Sequence, residues 1–228
     1  MRPAVPQSEP APDPLDPRGS TTLPKTTAST PRAAAKADRR QALLDAAEHL
    51  FAERGYEGVR LEDLGAACGI SGPGIYRHFP GKSAVLGTLL VRVSQDLLDG
   101  GEQIEQEARE QDLSPELTLA RLTTFQTDFA LDHRDVITVQ WRDRRHLDPA
   151  DAKEVARLQR AYIGVWARQL LALHPQEDQP TAIFRAQAAF GLINSTPHSV
   201  RRSQTDRAGR RRLLAEMALA ALVRPGTA

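Results

Sequence analysis

The sequence is short of several things that small proteins commonly rely on. Among 228 residues there is a single cysteine, Cys68, so an intrachain disulfide framework is excluded and a reducing compartment fits. No stretch approaches the ~18 uninterrupted apolar residues of a membrane span. The N-terminus lacks a basic start followed by an apolar run, which argues against a secretory signal. A soluble, cytoplasmic protein without membrane contact is expected. Neither charge sign dominates, with 30 Lys and Arg against 29 Asp and Glu. Any contact with a polyanion therefore has to come from a local patch. Catalytic patterns are missing too: there is no paired His at metal spacing, no glycine-rich phosphate loop after a strand and no nucleophile elbow. His133, His146, His174 and His198 are scattered along the chain. No enzyme, cofactor or metal site is predicted.

Proline is unevenly placed. Eight of the 16 lie in the first 36 residues, mixed with Ser, Thr and Ala and almost no large apolar side chain. Such a segment buries too little to offset its ordering entropy, so residues 1–36 are expected to be a disordered tail, with the fold starting near Ala37. Beyond it the apolar spacing is helical throughout. Leu43, Ala46, Ala47, Leu50 and Phe51 form one stripe over 38–54, and Gly55 ends it. A short helix is expected over 61–68. A turn at Gly69-Ile70-Ser71 leads into another, capped by Ser71, that tolerates Pro73 and ends before Pro80-Gly81. Further helices are predicted over 82–99, weakened by Gly100-Gly101, then from Ser114-Pro115, over 135–145, from Asp148-Pro149 to Leu173, over 180–194, and from Asp206 to Leu222. No segment alternates with a period of two. The protein reads as all-α, with about nine helices.

Two short helices joined by Gly69-Ile70-Ser71 suit a helix-turn-helix, whose second helix enters the DNA major groove. Gly69 supplies the positive φ of the turn, and Leu64, Ala67 and Ile70 are expected to wedge the helices. From Leu64 to Gln95 there is no acidic residue, while Arg77, Lys82 and Arg92 are present. A phosphate-facing surface has that composition. A purely structural pair of short helices has the same bare pattern, and a helical module that binds only protein is the rival reading.

A longer string is more specific. It runs Ala47-Glu48-His49-Leu50-Phe51-Ala52-Glu53-Arg54-Gly55-Tyr56, then Leu64-Gly65-Ala66-Ala67-Cys68-Gly69-Ile70-Ser71, then Ile75-Tyr76-Arg77-His78-Phe79 and Lys82. These residues resemble the DNA-binding domain of the TetR family of transcriptional regulators over about 37–97. The resemblance implies a C-terminal ligand-binding and dimerisation domain over 98–224, followed by a tail at 225–228. It implies a homodimer that binds a double-stranded operator with an inverted repeat, usually as a repressor. A small hydrophobic or amphipathic effector releases it, with an acyl-CoA or lipid-like metabolite among the candidates. By the same similarity Tyr76 and Lys82 contact phosphates and the start of the third helix faces the bases. Here that start reads Ser71-Gly72-Pro73-Gly74, so direct readout is sparse: backbone approach, Pro73 against a thymine methyl, and Ser71 or His78 as hydrogen-bonding groups. The family's usual Thr and Ser before the second helix are replaced by Val59 and Arg60, losing a cap worth about 1 kcal/mol, with Arg60 free to reach a phosphate. Gly65 replaces the common Ala and weakens the helix by a similar amount.

Several residues carry two readings at this level. Tyr76 either meets DNA or packs on the first helix, and Arg77 is either a phosphate contact or a solvated charge. Phe79 reads as core, His49 as packing, and Cys68 as a small buried thiol. Arg32, Lys36, Arg39 and Arg40 form either a minor-groove arm or a solubilising linker. Phe125, Phe129, Trp141, Tyr162, Trp166 and Phe184 are either core or the lining of an effector cavity, with Trp141-Arg142-Asp143-Arg144-Arg145-His146 as polar groups beside it. Arg201, Arg202, Arg207, Arg210, Arg211 and Arg212 are either a solvated loop or a site for a phosphorylated ligand. Phe184, Phe190, Leu192, Ile193, Leu213, Leu214, Met217, Ala221 and Leu222 are candidates for a two-fold interface.

Overall fold

The computed structural model describes residues 31–196 and 207–224. These residues form helices α1 (Pro31–Arg54), α2 (Leu61–Ala67), α3 (Gly72–Ile75), α4 (Lys82–Glu110), α5 (Pro115–Asp132), α6 (Arg134–Asp143), α7 (Pro149–Leu173), α8 (Gln179–Ile193) and α9 (Arg207–Val223). A 3-10 turn at Arg144–His146 follows α6, and there is no strand among the described residues. Asp206, Arg201, Arg202 and His198, together with residues 1–30 and 225–228, lie outside the described set, so the expectations placed on them stop there.

Three helix boundaries differ from those the sequence suggests. Helix α1 begins at Pro31, inside the proline-rich segment, and the run Ala33-Ala34-Ala35 that follows has the highest helix propensity available. Helix α4 passes straight through Gly100-Gly101 and ends only at Glu110. The two glycines are points of close approach rather than breaks. A Cβ on Gly100 would overlap the Phe125 ring of α5, and one on Gly101 would stand 2.6 Å from Cε2 of Tyr162 on α7. Helix α3 is a single turn, since two glycines and a proline in four residues propagate poorly. Hydrogen-bonded turns carry the chain on to Phe79, whose N–H donates to the Ile75 carbonyl at 3.0 Å.

The first three helices share a core of Leu43, Ala47, Phe51, Leu64, Ile75 and Phe79, each 1 % exposed or less. Val85 and Leu86 at the start of α4 close it from below, so α4 belongs to both halves of the molecule. In the larger half α7 runs against α4, α5 and α8, with Leu158, Val165, Trp166 and Leu170 fully buried. Ionic groups then fix the helices. Arg168 of α7 grips Glu105 of α4 with two bonds of 2.8 and 2.7 Å. Arg185 of α8 donates to carbonyls at the end of α9, those of Ala221 at 3.1 Å and Leu222 at 2.7 Å, supplying partners that the last turn lacks.

Candidate functional site

The turn between α2 and α3 forms as its residues require. Gly69 has φ +66° and no heavy atom within 4 Å of where a Cβ would lie. Leu64 is fully buried and Ile70 packs against the same core, but Ala67 is exposed and is no part of the wedge. Gly65 takes that place. It is buried, and a Cβ on it would sit 3.0 Å from the Ile70 carbonyl and 3.6 Å from Ile75, so the residue expected to weaken α2 is what lets α3 close on it. The missing cap is partly replaced as well. Asp63 accepts from the Arg60 N–H at 2.8 Å. Val59 and Leu64 are both fully buried on either side of that start, the arrangement of a hydrophobic staple.

On this support the outer face of α3 is bare. Ser71, Pro73, Tyr76 and Arg77 are exposed, Gly72 and Gly74 are half-exposed, and Arg77 makes no ion pair among the described residues. Arg60, at the start of α2, is also exposed. The reading of Tyr76 as core is overturned, because 54 % of it is accessible. Its hydroxyl donates to Glu62 Oε1 at 3.0 Å, and that carboxylate pushes the phenol above its ordinary range. The acid-free run in the sequence is therefore not an acid-free surface, since α2 brings Glu62 beside α3. Lys82 Nζ donates to the Tyr56 carbonyl at 2.7 Å and lies 4.1 Å above the Tyr56 ring. His78 is half-buried, and its Nδ1 is buried without a partner among the described residues.

Other expectations also change. Arg40 is no arm, for it donates to the His78 carbonyl at 3.0 Å and Thr88 Oγ1 at 3.1 Å and covers the Phe79 ring at 4.2 Å. Lys36 and Arg39 are exposed on α1. His49 is not a packing residue; it is exposed, with Nδ1 3.2 Å from Asp135 Oδ2 on α6. Cys68 is half-buried and donates to the Ala42 carbonyl at 3.3 Å, and burial raises its thiol pKa.

In the larger half, α4 to α8 border a half-open cavity of about 180 Å³ lined by Phe129, Ile137, Tyr162, Phe190 and four carboxamides, Gln126, Gln140, Gln159 and Asn194, with Leu97 and Ile163 completing the wall. Of the six aromatics expected here, Phe129 and Tyr162 line it. Phe125 lines the neighbouring crevice instead, between α1, α4 and α5. Trp166 is fully buried behind the wall, edge-on to Tyr162 and Phe190. Trp141 and Phe184 point away, at 73 % and 70 % exposed. At 100° per residue Trp141 falls about 145° from the centre of the buried face of Val136, Ile137, Val139 and Asp143, and Phe184 lies opposite the buried Ala182, Ala186 and Ala189 of α8. Phe190, expected at a two-fold interface, lines the cavity instead, and the carboxamides went unnoticed in the sequence because a polar residue on an apolar helix face is ambiguous until its neighbours are known.

The basic groups expected beside the cavity are used elsewhere. Arg142 donates to the Phe51 and Ala52 carbonyls at the end of α1 and pairs with buried Asp143. His146 stacks on Tyr56 at 4.5 Å. Arg207 and Arg211 pair with Asp132 and Asp128 on the outside of α5, and Arg212 stands 3.9 Å from Glu216, so these arginines form no phosphate site. Ile193 and Leu222 are buried within the chain and cannot meet a second copy, whereas Phe184, Leu213 and Met217 are accessible.

Comparison with known proteins agrees with this architecture. Residues 43–89 match the profile of the family described as bacterial regulatory proteins, tetR family. The HTH-type transcriptional regulator EthR of Mycobacterium tuberculosis is 46 % identical over 56 residues, 25 % of this chain and 26 % of that protein. The chain thus spans about a quarter of the length of the curated relatives it matches. Among solved structures, a TetR-family transcriptional regulator from Bordetella parapertussis superposes with a TM-score of 0.71 at 22 % identity, over 81 % of this chain and 93 % of that one. AibR, solved in complex with isovaleryl coenzyme A and operator DNA, superposes with a TM-score of 0.65 at 19 % identity, over 82 % and 100 %. Residues 43–89 of this chain thus match the tetR family of bacterial regulatory proteins, and over most of its length the chain has the fold of the solved structures named above.

Proposed function

We propose that the protein is a ligand-responsive transcriptional regulator, acting as a repressor, that binds an inverted-repeat operator as a homodimer and is released by a small effector in the cytoplasm. The observation that carries the reading is the bare outer face of α3, held on a fully buried platform of Leu64, Ile75 and Phe79. A helix left exposed on so rigid a support suits insertion into a groove about 12 Å wide. Ser71, Gly72, Pro73 and Gly74 meet the bases mainly through backbone and apolar contact, with His78 at the edge of that face. Arg60, Tyr76, Arg77 and Lys82 meet phosphates around them. Sparse side-chain readout leaves much of the specificity to DNA shape and to the half-site spacing of about 34 Å.

The effector is proposed to occupy the cavity of the larger half. Two walls connect it to the DNA-binding half. Leu97 and Phe129 are shared with the crevice that α1 closes through Leu44, Asp45 and Glu48. Ile137 and Gln140 belong to α6, whose Arg142 caps α1 and whose following turn places His146 on Tyr56. A ligand that displaces α6 or α4 changes the seating of α1, and with it the separation of two recognition helices in a dimer. Near-complete release requires about 5.5 kcal/mol of preference for the non-binding arrangement.

Selection of bound fragments from the genome of the source organism, followed by titration on the selected duplex, tests the reading. The expected result is an inverted repeat, two chains per duplex, and an affinity whose logarithm falls linearly with log salt. A chain that retains no fragment even at about 20 mM salt ends the proposal, since phosphate contacts are strongest there.

A further inference from the structure

The cavity contains polar groups but no charged one. Its lining offers four carboxamides and the Tyr162 phenol, and no Lys, Arg, His, Asp or Glu. Burial holds the phenol well above its ordinary range, so at neutral pH it remains a neutral donor. That hydroxyl donates to Gln126 Oε1 at 3.1 Å, and Gln126 Nε2 donates to Asn194 Oδ1 at 3.1 Å. The relay settles the orientation of Gln126 and leaves the Asn194 amide nitrogen at its end. Gln159 on α7 is not part of it. Its Nε2 is buried with no hydrogen-bond partner among the described residues. A buried amide donor without an acceptor is uncommon in a folded chain unless something else completes it. An ion in the same cavity would find no counter-charge, and an unpaired buried charge is the costliest group a site can hold.

Size and shape narrow the class. About 180 Å³ is little more than the ~150 Å³ cavity known to accept benzene. Tyr162 and Phe190 stand stacked on one side, their centroids 5.5 Å apart and inclined by 19°. Building on the reading of this cavity as the effector site, we infer that it selects an uncharged molecule of about one ring with a short substituent. That molecule bears a ketone, ester, lactone or amide oxygen, which accepts from Gln159 Nε2. Carboxylates, phosphates and ammonium groups are excluded from the interior.

Isothermal titration of the full chain without DNA tests this, with three probes of matched shape: acetophenone, cumene and benzoate. Acetophenone is expected to bind about tenfold more tightly than cumene, as one hydrogen bond allows, and benzoate more weakly than either. Gln159→Leu should reduce acetophenone to the level of cumene while cumene itself stays within about threefold. Gln159→Met, which keeps the length of the side chain and removes the donor, should lose the same advantage, so a folding defect in one variant does not protect the inference. Benzoate binding as tightly as acetophenone, an acetophenone advantage that survives both substitutions, or no binding of any probe would each overturn it. DNA capture is not involved. Failure on DNA refutes the regulator reading and leaves this titration standing, whereas a chain that captures its operator and ignores all three probes refutes the cavity inference alone.

Discussion

Tyr76 and Lys82 stand at the edge of the α3 face with polar atoms already committed inside the chain, the first to Glu62 and the second to the Tyr56 carbonyl. DNA binding as proposed exchanges the first contact for a phosphate, and Glu62 opposes it by repulsion. Glu62→Gln should therefore tighten operator binding about threefold, while Lys82→Met should weaken it and lower the salt slope by about 1. One salt titration of both variants reads the two effects, and an unchanged slope for Lys82→Met would remove that residue from the interface. Glu48 offers a second residue-level test. It is the α1 residue facing His133 at 3.8 Å, and burial, with help from Asp135 and Asp45, raises its carboxyl above the ordinary 4.5 despite the pull of His133. A carboxyl raised on folding binds its proton more tightly in the folded chain. Its contribution to stability is thus full below 4.5 and is lost as pH rises through the raised value. Glu48→Gln should raise Tm by about 2 °C at pH 7 and give no gain near pH 4. An equal gain at both values would mean that the carboxylate is not the cause.

Helix α4 is the element on which both halves depend, and its glycines explain how it fits. Replacing Gly101 by alanine improves helix propensity by about 1 kcal/mol. The new methyl, however, meets Tyr162, which is 4 % exposed and held in the amide relay. Overpacking of this kind costs about 1–3 kcal/mol. Packing outweighs propensity, and Gly101→Ala should lower Tm by about 2–4 °C. A rise in Tm would mean that the helices have room to part. Glu105 fastens the same helix to α7, its carboxyl held below the ordinary range first by the hydrogen bonds from Arg168, against the opposing effect of burial. Arg168 itself is 55 % accessible, so once released it rehydrates, and breaking the pair from the Glu105 side costs less than breaking a fully enclosed one.

At the scale of the whole molecule, the accessible apolar side chains of α8 and α9 are a feature that a single chain leaves unexplained. Phe184 on α8 and Leu213 and Met217 on α9 are 70 %, 58 % and 49 % exposed. Their proposed occupant is a second copy, which places two α3 helices on one duplex face. Phe184→Glu together with Met217→Glu should yield single chains in light scattering. Operator affinity should fall by at least about 100-fold, because each half-site is then bound alone. Monomers that keep full affinity would refute the two-fold arrangement.

Periodicity alone determined that the described residues are helical, and the string from Ala47 to Lys82 identified the part that matches the tetR family. Both rest on interactions within a few residues, where hydrophobic spacing, turn glycines and a platform such as Leu64, Ile75 and Phe79 are written side by side. What the tertiary structure decided depends on separations that the sequence does not encode locally. Gly100 and Gly101 look like a break until Phe125 and Tyr162 are seen against them. Trp141 and Phe184 look like cavity residues until the rotation of α6 and α8 turns them outward. Glu62 enters the α3 face, and Arg211 is neutralised by Asp128, only because distant helices meet. The chemistry of the cavity likewise follows from which faces of α4 to α8 turn toward each other, since a carboxamide on a helix gains a role only from what is packed across from it.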